Sequence, residues 1–301
     1  MAKRQRWWIW LLVTVGGALL FMFLYSMGMA PVSLGTDFQG GFVSRMPLWL
    51  AVGVSVLTVL GVTAALLSLY ALWIRLTERQ WPDDLPMRRM LPSAGAGFLT
   101  GFLLLSAVTG VIALLGGYRV VSVPGDVLRL VSQLLFFLPA AAAEEIVFRG
   151  ILFRRMDRRW GTLVALVVSA LLFGFLHITN QNATVWSSFA IAIEAGLLLA
   201  AAYKYADNLW LPIGIHWAWN WTQGPLFGFA VSGMDTSSFL APSIEGPMLL
   251  TGGEFGAEGS LVAVILGAGL SFYYLWLLSL AEKPAGRLIR IPAKQRPGTT
   301  A

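Results

Sequence analysis

The sequence contains no cysteine, which excludes disulfides, thiol nucleophiles and cysteinyl metal ligands. Charge is also scarce: only 12% of the 301 residues are Asp, Glu, Lys or Arg, against about 25% in a soluble domain. With 57% hydrophobic residues and a mean hydropathy of +0.73, the composition is that of a membrane protein. There is no repeat at a fixed period and no HExxH helix signature. Histidine is limited to His177 and His216. The net charge of +6 sits in short clusters between apolar runs rather than along one face, a pattern that excludes a nucleic-acid partner.

What is present is a series of long apolar runs. A spanning helix needs about 20 mostly apolar residues. Eight segments read that way: 7–29, 47–74, 94–116, 127–153, 161–178, 184–203, 209–224 and 260–281. The first has a basic start like a signal peptide, but its apolar run is too long and no small-x-small cleavage site follows, so it reads as a membrane helix. The expected fold is therefore an all-α membrane protein, an eight-transmembrane-helix bundle. Lys and Arg set the orientation. "KRQR", "RLTERQWPDDLPMRRM", "RRMDRRW", "YKYADN" and the tail "EKPAGRLIRIPAKQR" hold all the basic residues except Arg45, Arg119, Arg129 and Arg149. Both termini are thus expected in the cytoplasm, with the protein in a plasma membrane and lipid headgroups as contacts for the arginines. The loop 225–259 has no Lys or Arg and reads as an outer segment. The pair Gly97 and Gly101 forms a GxxxG step that lets helices approach closely.

A charged side chain at mid-bilayer costs about 2.5–3.5 kcal/mol on insertion scales, yet the spans hold Glu144, Glu145, Arg149 and Glu194. Such groups must face protein or water and find partners. Glu145 and Arg149 are four apart with the acid first, the favourable order for an ion pair on one helix face. Glu144 points about 100° away, which leaves it free for general acid–base work. The competing reading makes all three a buried structural network.

Both histidines also lie in expected spans. In "FGFLH", Phe173 and His177 share a helix face; in "HWAWN", His216 and Asn220 do the same. With Glu144 they supply a base, two imidazoles and an amide donor, the parts needed for attack of water on an amide.

These residues resemble a known family. "EEIVFR" matches EExxxR, "FGFLH" matches FxxxH and "HWAWN" matches HxxxN, in that order. They are the motifs of the CPBP intramembrane proteases, also called the CAAX protease, bacteriocin-processing or Abi family. The resemblance covers about residues 127–225, and the stretch "TGGEFGAEGS" is similar to one bacterial branch. It implies a membrane endopeptidase acting on a membrane-associated protein or peptide, with a polar cavity between helices 4, 5 and 7. Residues 1–126 would hold helices 1–3, 127–225 the catalytic core, and 226–301 the outer loop, last helix and basic tail. By motif, Glu144 would activate water with help from His177, His216 and Asn220 would hold the oxyanion, and Glu145 and Arg149 would brace the site.

A metal remains an alternative: His177, His216 and Glu144 could supply the three protein ligands that a catalytic zinc takes. That choice leaves only Glu145 as a base, and Arg149 claims it. Glu194 reads either as a supporting carboxylate near the site or as an interhelical hydrogen-bonding group. Asn180 either orients the His177 ring or starts the outer loop. Glu258 is expected at the N-terminus of the last span, where the helix dipole favours an acid. Trp217 and Trp219 flank the third motif and could shape the cavity walls. Two other classes fit buried charge: a non-catalytic immunity or scaffold protein of the same fold, and a proton-coupled transporter, although the inverted halves expected of the latter are not seen.

Counted from Arg154, Glu144 lies about 15 Å along its helix, whereas His177 lies about 24 Å from the start of its own. Tilt, or a fifth helix that starts beyond the membrane face, would close that gap.

Overall fold

A computed structural model describes residues 13–17, 19, 21, 48–125 and 127–282. The described chain is mostly helical: α1 (Leu48–Glu78), α2 (Met90–Leu114), α3 (Val127–Glu145), α4 (Arg154–Trp160), α5 (Thr162–Leu176), α6 (Val185–Ile191), α7 (Leu198–Ala206), α8 (Trp210–Trp221), the short α9 (Met248–Thr251) and α10 (Leu261–Glu282). π-Helical turns at Ile146–Phe153 and Ala192–Leu197 fuse α3 to α4 and α6 to α7; a third, Thr222–Leu226, extends α8. Among the described residues, six helical segments are long and apolar enough to cross a membrane. Most of the expected first span and the basic tail lie outside the described residues.

These helices are apolar nearly all round, as an element facing both protein and hydrocarbon must be. Leu57, Leu99, Leu163 and Phe272 point outward and are exposed, while Leu66, Leu105, Leu166 and Tyr274 on the same helices are buried. α8 departs from the expected span at 209–224. It is too short to count among the six crossing segments, and it is buried along most of its length. Its apolar residues face other helices rather than lipid.

The expected fourth span also changes. "RRMDRRW" is not a connecting loop but a continuation of the helix, which runs from Val127 to Trp160 as one segment. Gly161, at φ 88°, turns the chain into α5. Measured from Trp160, Glu144 lies about 24 Å along its helix, the same depth as His177. The gap closes because α5 begins well beyond Arg154.

Arg154, about 15 Å further along the same helix, is held by a buried polar knot. Asp84 Oδ2 accepts from Tyr70 of α1 at 2.8 Å and from Tyr203 of α7 at 2.7 Å, and lies 3.1 Å from Arg154 Nη1. The Asp84 carbonyl accepts from Leu209 N at 2.9 Å, which starts α8 at the same level. Burial pushes the Asp84 carboxyl above its ordinary range despite these partners. Burial would also raise the neighbouring Asp83, but its ion pair with Arg154 outweighs this and holds it low. Glu78 adds contacts to Arg154 at 3.3 Å and to Arg158 at 2.5 Å.

At the opposite end the all-α expectation needs amending. Tyr118–Ser122 (β1) pairs antiparallel with Ala241–Ile244 (β2), Tyr118 opposite Ile244. The Tyr118 ring stacks 5.1 Å from Phe229, and its hydroxyl donates to Phe227 O at 2.9 Å. This small sheet fastens the 225–259 loop across the bundle.

α8 is seated by close contact with α2. A Cβ added at Gly97 would collide with Leu211 O, at Gly101 with Ile215 O, and at Gly214 with Ala94 O. The GxxxG step is thus answered by a third glycine on the partner helix, and backbone meets backbone. Gly101→Val should push α8 away and lower stability by about 1–3 kcal/mol, read as a lower melting temperature in detergent. Gly95→Ala, where a Cβ meets nothing within 4 Å, should leave the melting temperature unchanged or slightly higher.

Candidate active site

The π turn that begins at Ile146 re-aims the helix carrying EEIVFR. Glu145 and Arg149 still meet, with Nη1 2.8 Å from Oε1 and both side chains fully buried. Arg149 does more than pair with the acid. Its Nη2 donates to Gly196 O at 2.9 Å and Ala195 O at 3.4 Å, in the second π turn. Its guanidinium carbon stands 4.6 Å from the Phe173 ring centroid, a cation–π contact that joins α5. π turns of this kind recur at functional sites.

Glu145 Oε1 also accepts from His216 Nδ1 at 2.9 Å. Because a carboxylate oxygen can only accept, the proton sits on Nδ1, and the bond fixes the ring orientation. Nε2 of the same ring then faces Glu144, 3.9 Å from its Oε2. That Oε2 has no hydrogen-bond partner among the described residues. The two adjacent glutamates thus differ in engagement: Glu145 takes hydrogen bonds from a guanidinium and an imidazole, whereas Glu144 meets only the imidazole, beyond hydrogen-bond distance.

His177 ends α5 and enters a 3₁₀ turn (His177–Thr179). Its Nδ1 is 2.8 Å from Phe173 O. A carbonyl only accepts, so Nδ1 donates and Nε2 is left to face the cavity. Phe173 lies between the two imidazoles, its centroid 5.0 Å from His177 and 5.9 Å from His216. A cavity with about 360 Å³ of atom-free space is lined on its polar side by His177, His216, Asn220, Glu194, Ser232 and Glu258, with walls from Ile191, Leu198 and Trp219. Glu144 is not part of this lining and meets it through His216. Trp217 Nε1 donates to Leu134 O and Trp221 Nε1 to Leu130 O, which tie α8 to α3.

A second polar group closes the far side of the cavity. Glu194 is fully buried in the π turn, and neither of its oxygens meets a donor among the described residues. Glu258 does not sit on the first turn of the last helix, as the helix-dipole argument expected. It belongs to a 3₁₀ turn (Ala257–Gly259) and is buried. It accepts from Ser232 N. Ser260 does the capping instead, with Oγ 3.1 Å from Ala263 N. Asn180 donates to Ser232 O at 3.0 Å and so holds the loop rather than the imidazole. Glu258 and Ser232 were not legible as cavity residues. The only signal was "TGGEFGAEGS", whose glycines allow the loop to fold tightly inward: Gly256, at φ 114°, abuts Ala230 O.

A zinc site on His177, His216 and Glu144 does not fit this arrangement. No three His, Asp or Glu side chains among the described residues come close enough together to hold one ion.

The motifs sit in a segment that also matches a family model: residues 126–222 match Type II CAAX prenyl endopeptidase Rce1-like. That segment, about a third of the chain, is similar to the CAAX proteases. The match agrees with the CPBP resemblance carried by EEIVFR, FGFLH and HWAWN. No curated protein and no solved structure matches the chain. The Rce1-like segment contains Glu144, Glu145, Arg149, His177, Glu194, His216 and Asn220; Gln223, Ser232 and Glu258 lie beyond it.

Removing one member of a buried ion pair strands the other. Arg149→Leu should lower stability by about 3–5 kcal/mol, measured by denaturation in detergent. Arg149→Lys, a point charge without the planar fork, should recover only part of the loss.

Proposed function

We propose that this multi-pass membrane protein is an intramembrane endopeptidase that hydrolyses a peptide bond of a membrane-associated protein or peptide. The observation that carries the reading is the difference between the paired acids. Glu145 is locked by Arg149 and His216, whereas Glu144 Oε2 is unpartnered 3.9 Å from the same imidazole. An unengaged carboxylate beside a fixed imidazole is what a general base for water requires.

In this mechanism Glu144 removes a proton from water as the water oxygen bonds to the carbonyl carbon. Nε2 of His177 accepts a hydrogen bond from the O–H that stays on the water oxygen and aims the attack. The carbonyl oxygen becomes an oxyanion that takes hydrogen bonds from the Nε2–H of a doubly protonated His216 and from the Asn220 amide. When the tetrahedral adduct collapses, the C–N bond breaks and Glu144 returns its proton to the departing amine. One product carries the new carboxylate, the other the new amine. Glu145 and Arg149 position His216 and do not meet the substrate. The expected topology, with both termini in the cytoplasm of a plasma membrane, belongs to the same proposal.

Removal of a general base costs about 10²–10⁴ in rate. Glu144→Gln should therefore lower kcat by that factor, with little change in KM or melting temperature, when purified protein is assayed on a peptide library. No cleavage by either protein would instead favour the scaffold reading, and equal turnover would remove Glu144 from the role of base.

A further inference from the structure

The mechanism leaves the Glu194 side of the cavity unused. Glu194 is wholly buried, with no hydrogen-bond donor to either oxygen among the described residues, yet it lines the cavity. Glu258 lines it too. Glu258 is the better satisfied of the two: its Oε1 accepts from Ser232 N, and the Ser232 and Gln223 side chains also bond this carboxylate. Two acids in a dry wall call for a cation or for protons. A metal ion is poorly served here, because no third His, Asp or Glu joins the pair to complete a ligand group. An ammonium is better matched: its N–H donors can be met by the two unpartnered Glu194 oxygens, with the Glu258 carboxylate across the same cavity.

An independent observation favours a cation that arrives from outside. The whole 225–259 segment has no Lys or Arg but carries Asp235, Glu245, Glu254 and Glu258. The part that reaches the cavity therefore presents one sign of charge, which draws cations inward and concentrates them.

We propose that Glu194 and Glu258 form a subsite that takes a lysine or arginine side chain of the substrate, close to the bond that is cut. The placement rests on the endopeptidase reading; the cation binding does not. His177 lines the same cavity. The cationic residue thus lies near the scissile bond, because the two acids share one cavity with the imidazole.

The test uses full-length protein in nanodiscs carrying Glu144→Gln, and dye-labelled Ala/Leu peptides with a single lysine moved along the chain. Each has a norleucine twin of the same length. At one register the lysine peptide should bind about 10–100-fold more tightly than its twin, the scale of a charge-assisted contact. Adding Glu194→Gln, or separately Glu258→Gln, should collapse that ratio toward one. Two substitutions guard against a variant that fails to fold, and melting temperatures identify it. Equal binding of the twins at every register, or a ratio that survives both substitutions, overturns the subsite and leaves the carboxylates holding protons only. The wild type assayed on the same peptides separates the two proposals. Cleavage without lysine preference removes the subsite and keeps the endopeptidase; lysine-dependent binding without cleavage does the reverse.

Discussion

Arg149 is the group on which the arrangement turns. A guanidinium cannot shed its charge in a protein interior, so everything around it must supply compensation. Glu145, the Gly196 carbonyl and the Phe173 face do so from three different segments. The Glu145 oxygen that takes Arg149 also accepts from His216 of α8. A single buried cation thereby fixes the mutual position of α3, α5, the second π turn and α8. The remaining acid, Glu144, differs from its neighbour only because helical geometry turns it away from that cation.

The same logic repeats at another level. Arg154 collects Glu78, Asp83 and Asp84, and Asp84 collects Tyr70 and Tyr203. Polar knots at two depths act as rungs between helices whose apolar surfaces alone would slide. Packing of apolar side chains is nearly non-directional in a lipid setting. Buried charge with few permitted partners is highly directional.

Much of this was legible in the sequence because it is local. The pairing of Glu145 with Arg149 follows from four-residue spacing, and the closeness at Gly97 and Gly101 follows from having no side chain. The three motifs in order pointed to a CAAX-type protease before any geometry was available. What could not be read was long-range. Nothing in "RRMDRRW" distinguishes a basic loop from a basic helical extension, and that choice decides whether His177 and Glu144 share a depth. The bond from His216 to Glu145 joins residues of two separate helices, and no periodicity reports on it. Glu258 was misplaced because helix-start rules weigh an acid against its own helix, not against a cavity that the fold brings to it. The strand pairing of Tyr118–Ser122 with Ala241–Ile244 escaped for the same reason, being short and far apart in the chain.

The brevity of α8 has a further consequence for biogenesis. A helix that carries His216 and Asn220 and falls short of the bilayer's width is a poor candidate for insertion alone. Its glycine contacts with α2 supply a ready-made groove whose walls, unlike lipid, accept backbone at close range. Membrane entry of α8 is thus tied to prior assembly of its neighbours. The imidazole reaches the carboxylates only in a nearly finished bundle, so a half-made chain carries the acids without the histidine that orients them.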